Sequence, residues 1–294
     1  MPEGHSIHRI AHHFQEVFIP QQLQVSSPQG RFTDGAKLLN GHRAVASEAY
    51  GKHWFLYFDN DLVLNVHLGM YGAWTFGGQQ QSSIGAPRKI GEQEDHHDGA
   101  MELTAPRPTT RVRLIGEHSW ADLVGAAICR TLTLAEAQQI IDSIGPDPLR
   151  DDADPQRFYD VAAKTRRRIA AILMDQKVIG GIGNIYRAEG LFRLQLNPHT
   201  SANALDHCTH ERLWHDQVHL LGIGVETGRI ITTEPEHRPG IPLEQAWPDH
   251  ANYVYKRQGQ TCLVCGHNTI VVEELEARKL YWCRSCQCRS CQMS

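Results

Sequence analysis

The chain has 294 residues, of which 41% are hydrophobic and 21% charged, and this composition indicates a globular protein with one large or two modest domains. No run approaches the roughly 18 apolar residues of a membrane-spanning helix, and the N-terminus lacks the apolar stretch of a secretion signal, so we expect a cytoplasmic protein without a membrane partner. The net charge of −4 argues against nucleic-acid binding by the chain as a whole, although residues 164–193 carry seven basic and only two acidic side chains.

Hydrophobic periodicity predicts a strand-rich first half that begins with one helix. Apolar residues recur at helical spacing over 6–18, behind a short tip that we expect to be exposed. Short apolar runs broken by turn residues over 23–74, and a strand pair over 111–115 and 120–126, predict an antiparallel β-sandwich or barrel. The segment 77–110 is rich in Gly, Gln, Ser and Pro, and we expect a long loop there.

The second half is predicted to be helical. A helix over 132–144 ends at Gly-Pro-Asp-Pro, which is a natural helix breaker and domain linker. Four further helical patterns follow, over 155–161, 165–174, 185–192 and 208–228. These patterns together predict a multidomain α+β fold. Its parts are a β-sandwich over 2–135, a linker over 136–150, a helical domain over 151–250 and a cysteine-rich ribbon over 251–294.

The cysteines predict a metal site, because six of the eight lie in the last 33 residues. Two Cys-x2-Cys pairs separated by seventeen residues have the spacing of a zinc ribbon, with predicted strands over 269–272 and 280–282 between them. We therefore expect one structural Zn²⁺ bound by Cys262, Cys265, Cys283 and Cys286. A third pair, Cys288 and Cys291, is an alternative to the second pair. We prefer the second pair because the strand over 280–282 leads directly into it.

A glycine-rich turn followed by a helix is a candidate anion site. Gly180, Gly181 and Gly183 precede Asn184, which begins the helical pattern over 185–192. Glycines let a phosphate approach the backbone closely, and the free N–H groups of a helix start attract an anion. We expect Asn184 to add a side-chain donor to this site.

The start of the chain, Met1-Pro2-Glu3-Gly4, offers a nucleophile. Removal of Met1 before proline would expose a secondary amine beside a carboxylate. A terminal amine with a pKa of about 7.7–8.0 is roughly 10–15% neutral at pH 7, whereas an ordinary lysine is neutral only about once in 2,500. A secondary amine that condenses with a sugar aldehyde gives an iminium ion, which is a persistent electron sink for elimination.

The chain resembles the formamidopyrimidine-DNA glycosylase and endonuclease VIII family over nearly its whole length. The resemblance rests on Pro2-Glu3-Gly4, Gly51-Lys52, the run from His67 to Gly72, Gly183-Asn184-Ile185-Tyr186 and the four-Cys ribbon, in this order. It implies a strand-rich N-terminal domain with flanking helices and a C-terminal domain with a helix-two-turns-helix motif. It also implies that a monomer binds damaged double-stranded DNA.

The resemblance assigns catalytic roles residue by residue. It implies that Pro2 is the nucleophile at C1′ of the lesion sugar, and that Glu3 is the acid and base that moves protons as the base and the sugar ring open. Lys52 would reach the DNA backbone and assist catalysis. Arg278 would grip the phosphate at the lesion, a task that suits its planar guanidinium group.

The resemblance also assigns DNA contacts. It implies that Asn184 holds a phosphate, and that Met70, with Tyr71 beside it, fills the space left by the extruded base. One departure affects base reading. The Arg-Phe pair of many purine-directed members is missing, and residues 118–121 occupy the comparable stretch.

The implied activity is that of a bifunctional DNA glycosylase and AP lyase of base excision repair, which removes an oxidised base and cuts the strand by β,δ-elimination. Pro2-Glu3-Gly4 and Tyr71 are similar to the endonuclease VIII branch, which favours oxidised pyrimidines, whereas Leu68-Gly69-Met70 is similar to the purine branch. We favour oxidised pyrimidines. The alternatives are an oxidised-purine glycosylase and a zinc-containing protein that binds DNA damage without turnover. An RNA-binding protein would leave the N-terminus unexplained.

Overall fold

A computed structural model describes residues 2–78, 82–85 and 103–288. The chain divides into two units, Met1–Ser143 and Ile144–Ser294. The division falls directly before the Gly-Pro-Asp-Pro segment of 145–148. Residues 136–143, at the start of the predicted linker over 136–150, are helical and belong to the first unit.

The first unit contains two five-stranded antiparallel sheets, which agree with the predicted β-sandwich. The first sheet has the order β1 (Gln21–Gln22), β3 (Arg43–Tyr50), β4 (His53–Phe58), β5 (Leu62–His67) and β10 (Ile128–Thr133). The second sheet has the order β2 (Gln24–Ser26), β8 (Thr110–Ile115), β9 (Ser119–Val124), β6 (Ala73–Gly78) and β7 (Ser82–Gly85). Three helices accompany them: α1 (Gly4–Val17), α2 (Thr33–Leu39) and α3 (Leu134–Ser143).

Aromatic side chains join α1 to both sheets. The ring of Phe14 lies 4.4 Å from that of Trp54 on β4 and 5.1 Å from that of Trp74 on β6, measured between centroids. Ile7 and Ile10 share the buried face of α1 and are 1% and 0% exposed. Full burial of one such side chain contributes about 1.5–3 kcal/mol. The helix is therefore anchored along its length, and its first turn has a fixed place in the unit.

The helix α2 and the strand β7 are not predicted by the sequence patterns. In α2 only Ala36 and Leu39 are buried, so its apolar stripe is too short to show a period. Strand β7 pairs with β6 inside the segment that we expected to be a loop, and Trp74 opposes Ile84. Residues 103–109 of that segment contain no helix or strand, as expected, and residues 79–81 and 86–102 lie outside the described residues.

Strand β10 and helix α3 close the first unit. All six residues of β10 pair with β5, so this strand extends the first sheet. Ala137 on α3 packs with Phe55 and Val63 of that sheet and with Leu132. The helix predicted over 132–144 is thus confirmed as α3, except that residues 132 and 133 belong to strand β10.

The second unit begins with four helices and ends with a hairpin. The helices are α4 (Gln156–Lys164), α5 (Ile169–Ile172), α6 (Asn184–Arg193) and α7 (His207–Thr227). Their positions agree with the four predicted patterns, except that α5 is shorter than 165–174. Arg168 is extended, with a ψ of 141°, and bridges Ser201, which prevents an earlier helix start.

The hairpin comprises β11 (Ile270–Leu275), β12 (Arg278–Cys283) and the short helix α8 (Arg284–Gln287). It confirms the strands predicted over 269–272 and 280–282. Across the part of the chain that the structure covers, none of the helices is both long enough and apolar enough to traverse a bilayer.

A single buried carboxylate fixes the segment that leads into the hairpin. Glu189 on α6 is 0% exposed and accepts the backbone N–H groups of Tyr253, Val254 and Tyr255 at 2.7–2.9 Å. The hydroxyl of Thr232 donates to the same carboxylate at 2.6 Å. Burial raises the pKa of Glu189, and these four donors act against that increase. The carboxylate therefore ties α6 to the chain that precedes the cysteines.

Candidate functional site

The N-terminal turn places Pro2 and Glu3 directly before α1. Glu3 is the N-cap residue, and its backbone oxygen accepts the N–H of Ser6 at 3.0 Å. Pro2 is buried and Glu3 is 0% exposed, so our expectation of an exposed tip is wrong. The reason is that the buried face of α1 continues to its first residue. A buried carboxylate next to an imino acid is a pair that can move protons at a reacting atom.

His5 is a neighbour of this pair that the sequence patterns did not single out. It is 4% exposed, and its Nε2 lies 3.1 Å from the hydroxyl oxygen of Ser6. Burial, with the nearby charge of Arg9, lowers the pKa of His5 to about 3. The imidazole is therefore neutral at pH 7 and adds no positive charge beside Glu3. In the sequence, only the position of His5 shortly after the Pro-Glu pair could have marked it as a site residue.

Lys52 lies in the two-residue turn that joins β3 to β4. Gly51 precedes it with a φ of 57°, which favours glycine at this point of a tight hairpin. Lys52 is half-buried, and its charge lowers the pKa of His67, although burial is the larger cause. Burial and His67, whose ring centroid is 4.9 Å away, lower the pKa of His53 to about 4. Both imidazoles are neutral at pH 7, and Lys52 carries the positive charge of this group.

Met70 and Tyr71 lie on a turn directly after β5, with exposed fractions of 50% and 75%. The oxygen of Leu68 accepts the N–H of Gly72 at 3.0 Å, which closes the turn. Gly69 has a φ of 67° and donates its N–H to Nδ1 of His67 at 3.1 Å. Two large side chains are thus displayed on a backbone that is fixed by hydrogen bonds.

Asn184 begins α6 and is held by two contacts inside the second unit. Its side-chain amide donates to the backbone oxygen of Lys279 on β12 at 2.8 Å, and its side-chain oxygen accepts a short hydrogen bond from Arg187. Arg187 also donates to the oxygen of Lys279 at 3.0 Å. Asn184 is 8% exposed. The start of α6 and the hairpin therefore form one connected surface.

The glycine turn before Asn184 is stabilised by Gln176, which the sequence analysis missed. The Gln176 side chain accepts the N–H of Gly181 at 3.0 Å and donates to the oxygen of Ile182 at 2.9 Å. The N–H of Gly180 donates to Pro146 at 2.9 Å. Two N–H groups of the expected anion site are therefore used within the protein. The glycines give the turn its shape. An anion bound here would depend on the N–H groups at the start of α6.

Arg278 opens β12 at the tip of the hairpin and is exposed. The strands are joined by Glu276 and Ala277, which have φ values of 49° and 58°, and Leu275 pairs with Arg278. Two residues with positive φ are typical of a type I′ turn, whose twist suits a hairpin. The turn therefore presents Arg278 at a defined position.

The four predicted metal ligands come together in the second unit. The Sγ atoms of Cys262 and Cys286 are 3.8 Å apart, as are those of Cys265 and Cys283, and all four lie within 4.8 Å of one another. A tetrahedral zinc site with bonds of about 2.3 Å has sulfur atoms roughly 3.8 Å apart, so the spacing fits Zn²⁺. Cys288 is exposed and lies outside this cluster. Its proposed partner Cys291 lies outside the described residues.

The surroundings of Cys265 favour its thiolate. Partial burial opposes ionisation, but the N–H of His267 and the hydroxyl of Thr269 outweigh it and lower the pKa of Cys265 to about 6. The thiolate is the form that binds metal. Burial instead raises the pKa of Cys262 and Cys286, with a contribution from the neighbouring thiols. The match to a structural zinc site therefore rests on four sulfur donors at the spacing that zinc requires.

The candidate residues are distributed between the two units. The first unit contains Pro2, Glu3, Lys52, Met70 and Tyr71. The second unit contains Asn184, Arg278 and the four clustered cysteines. Within the second unit, the hydrogen bond from Asn184 to the backbone oxygen of Lys279, the residue after Arg278, places the two predicted phosphate ligands on segments that are in direct contact.

Two family models match the chain. One is described as the formamidopyrimidine-DNA glycosylase N-terminal domain and matches residues 1–117. The other is described as the formamidopyrimidine-DNA glycosylase H2TH domain and matches residues 144–236. Together they cover the first unit up to β8 and the helices α4 to α7 of the second unit.

Curated relatives and solved structures agree with these models. Endonuclease 8 1 of Mycobacterium tuberculosis is 38% identical over 98% of this chain and 100% of its own length. Formamidopyrimidine-DNA glycosylase of Afipia carboxidovorans is 26% identical over 97% of this chain and 94% of its own. The Lactococcus lactis Fpg, solved in complex with DNA that contains an abasic site, has a TM-score of 0.73 at 18% identity and covers 97% of this chain and 99% of its own. The likeness to the last of these shows a shared fold.

Proposed function

The chain belongs to the formamidopyrimidine-DNA glycosylase and endonuclease VIII family of DNA glycosylases with AP lyase activity, and from this membership we propose a specific chemistry for it. We propose that it is a bifunctional enzyme that removes an oxidised base from DNA and then cuts the strand by β,δ-elimination. The observation that carries this proposal is the N-terminal turn. It holds Pro2 beside the fully buried carboxyl group of Glu3, at the start of an anchored helix.

The first step uses the amine that removal of Met1 would expose. The lone pair of the Pro2 nitrogen forms a bond to C1′ of the damaged nucleotide, and the glycosidic bond breaks as its electron pair leaves with the base. The nitrogen loses its proton, and the departing base gains one. Glu3 transfers the proton that opens the sugar ring at O4′. The product is an iminium ion between Pro2 and C1′. Because proline is a secondary amine, this ion has no N–H and cannot lose its charge by deprotonation at nitrogen.

The iminium ion then supports strand cleavage. Loss of a proton from C2′ drives β-elimination, in which the bond from C3′ to its phosphate oxygen breaks. A second elimination breaks the bond from C5′ to its phosphate oxygen, and water releases Pro2 from the sugar remnant. Lys52, the cation beside two neutral imidazoles, is proposed to contact the DNA backbone during these steps.

The remaining residues are proposed to bind and shape the DNA. Asn184 uses one amide hydrogen on Lys279, and its second can hold a phosphate together with the guanidinium group of Arg278. Met70 and Tyr71 are proposed to fill the space left by the extruded base, and their high exposure supports this role. One Zn²⁺ bound by the clustered thiols would supply rigidity to the hairpin that carries Arg278.

We propose that the substrates are oxidised pyrimidines in double-stranded DNA. The relative that is 38% identical over the whole chain carries the name endonuclease 8, and Pro2-Glu3-Gly4 and Tyr71 are similar to that branch. Parallel incubation with duplexes containing thymine glycol or 8-oxoguanine tests the preference. We expect faster cutting of the thymine glycol duplex, and cutting of the 8-oxoguanine duplex alone would reverse the assignment.

Variants at the N-terminal turn test the mechanism. Because Glu3 moves protons in the reaction, we expect Glu3→Gln to lower the cleavage rate by about 10²–10⁴-fold. Pro2→Gly replaces the secondary amine and is expected to reduce the borohydride-trapped complex with damaged DNA. The matched control is Glu16→Gln, an exposed position on α1, which should cleave like the parent.

The outcomes separate catalysis from simple damage binding. Equal cleavage by the parent, Pro2→Gly and Glu3→Gln would exclude the proposed mechanism. Binding of damaged DNA by the parent without any cleavage would favour a damage-binding protein. Mass spectrometry of the mature chain gives an independent check, since retention of Met1 would leave Pro2 without a free amine.

A further inference from the structure

Three consecutive arginines form a loop between α4 and α5, within the basic segment that the sequence singled out. The side chains of Arg166, Arg167 and Arg168 are all exposed. The loop is fixed by its backbone, because the oxygen of Arg167 accepts the N–H of Ala202 at 2.9 Å and Arg168 bridges Ser201. Exposed arginines thus occupy a defined place in the second unit.

Arg167 differs from its two neighbours because it is already paired. Its guanidinium group lies 2.7 Å from a carboxylate oxygen of Asp175 and 3.7 Å from one of Glu276. Glu276 belongs to the tight turn that presents Arg278. The side chain of Arg167 therefore ties the basic loop to the tip of the hairpin.

Arg166 and Arg168 keep their charges available. Within residues 103–288, neither forms an ion pair, and the same holds for Arg278. The two carboxylates near the loop, those of Asp175 and Glu276, are both engaged by Arg167. Arg167 is therefore a structural residue, and its neighbours Arg166 and Arg168 can bind an external anion.

The contacts extend this basic loop to the predicted phosphate site. Asn184 bonds to the oxygen of Lys279, which follows Arg278 on β12, and the hairpin turn bonds through Glu276 to Arg167. We call the surface formed by Asn184, Arg278, Arg166 and Arg168 the basic surface. Arginine suits phosphate because its planar fork can donate two parallel hydrogen bonds. Several such groups on segments that contact one another suit the repeated charge of a nucleic-acid backbone.

We infer that Arg166 and Arg168 bind backbone phosphates of DNA that neighbour the phosphate held by Asn184 and Arg278. This inference rests on the proposed function for the identity of the polyanion. Arg167 is a positioning residue, which holds the hairpin turn, and with it Arg278, against the loop. The basic surface therefore extends the DNA contact along the strand beyond the lesion.

Salt dependence of binding tests the two outer arginines. The probe is a duplex with a tetrahydrofuran abasic analogue, and the logarithm of the association constant is measured against the logarithm of KCl concentration. Each lost phosphate contact lowers the steepness of this plot by about 0.9, so Arg166→Ala with Arg168→Ala should lower it by about 1.8. The charge-matched control is Arg212→Ala with Arg284→Ala, two exposed positions outside the basic surface, which should match the parent.

The result that overturns the inference is an unchanged slope and affinity in the Arg166 and Arg168 double variant. An equal decrease in the control would also overturn it, because general charge would then explain the effect. Thermal unfolding and zinc content of each variant show that folding is intact. The borohydride trap with the parent reports separately on the proposed chemistry, so its failure is distinguishable from failure of the basic surface.

Arg167 gives a second, independent readout. Because its charge is already neutralised, Arg167→Ala should leave the salt slope unchanged. Displacement of the turn that carries Arg278 should instead lower the cleavage rate at saturating DNA by about tenfold. Arg167→Lys, which retains the ion pairs, should restore part of that rate. A salt slope that falls as it does for the outer arginines would contradict the positioning role.

Discussion

The sandwich of the first unit and the cysteine hairpin of the second are both antiparallel β-structures, yet they are stabilised by different means. In the sandwich, Phe14 packs against Trp54 and Trp74, and the neutral imidazoles of His5 and His53, whose pKa values are lowered, lie near Glu3 and Lys52 in the sequence. The hairpin has two strands, and its end is gathered around four thiols. A region with a large apolar core can hold a nucleophile without metal, whereas a two-stranded hairpin needs a ligand to present an arginine.

Removal of the metal should give the largest effect, and it should affect the hairpin but not the sandwich. Structural zinc contributes about 10–16 kcal/mol of apparent binding free energy in zinc-finger peptides, so Cys283→Ser should unfold the hairpin and abolish tight DNA binding. The sandwich should remain folded, as followed by thermal unfolding together with limited proteolysis. Cys288→Ser is the control, because that thiol is exposed and outside the cluster. Full zinc occupancy in Cys283→Ser would contradict the assigned ligand set.

Acid should weaken the sandwich through the half-buried His53. The pKa of His53 is lowered from 6.5 to about 4 in the folded protein, so the unfolded chain binds a proton first as the pH falls. The contribution of this neutral imidazole is complete above about pH 6.5 and is lost as the pH falls to about 4, by about 3 kcal/mol in total.

Urea unfolding at a series of pH values measures this loss. His53→Gln should show a shallower decrease in the free energy of unfolding over the same pH range, because the group that takes up the proton is absent. His118→Gln is a matched control, since His118 is an exposed histidine of the same unit. Equal pH dependence in the parent and His53→Gln would show that His53 is not the responsible group.

A change at the hairpin turn should give the smallest effect, and in the stabilising direction. Ala277 has a φ of 58°, where a residue with a Cβ is strained, so Ala277→Gly should stabilise the hairpin by about 0.5–1 kcal/mol. The resistance of the zinc-loaded protein to a chelator measures the gain. Ala163→Gly on the exposed side of α4 should be destabilising by a similar amount. Loss of stability in both variants would contradict the positive-φ turn.

The sequence was most informative where a pattern or spacing was long. The helical spacing of apolar residues in α1 and the two Cys-x2-Cys pairs gave the helix, the hairpin and the metal cluster correctly. The patterns failed for short elements whose stability comes from their neighbours. Strand β10 alternates polar and apolar residues weakly, and its pairing with β5 across more than sixty residues has no local signature.

The candidate site shows the same limit. The Pro-Glu pair was found from its chemistry, but its burial depends on how α1 packs, which adjacent residues do not encode. Gln176 was missed because its role is to hold the backbone of Gly181 and Ile182, and a glutamine on a polar turn is common in any sequence. The bond from Asn184 to Lys279 joins residues far apart in the chain and required the fold.

The turn that carries Met70 and Tyr71 has a consequence for how such an enzyme can change over evolution. Its backbone is determined by glycines: a Cβ on Gly72 would lie 2.4 Å from the oxygen of Leu68, and one on Gly125 would lie 2.5 Å from that of Tyr71. The side chains at 70 and 71 point outward and contribute little to folding. The side chains at these two positions can therefore be substituted while the backbone of the turn stays the same. Evolution or laboratory redesign can use them to test new lesion preferences.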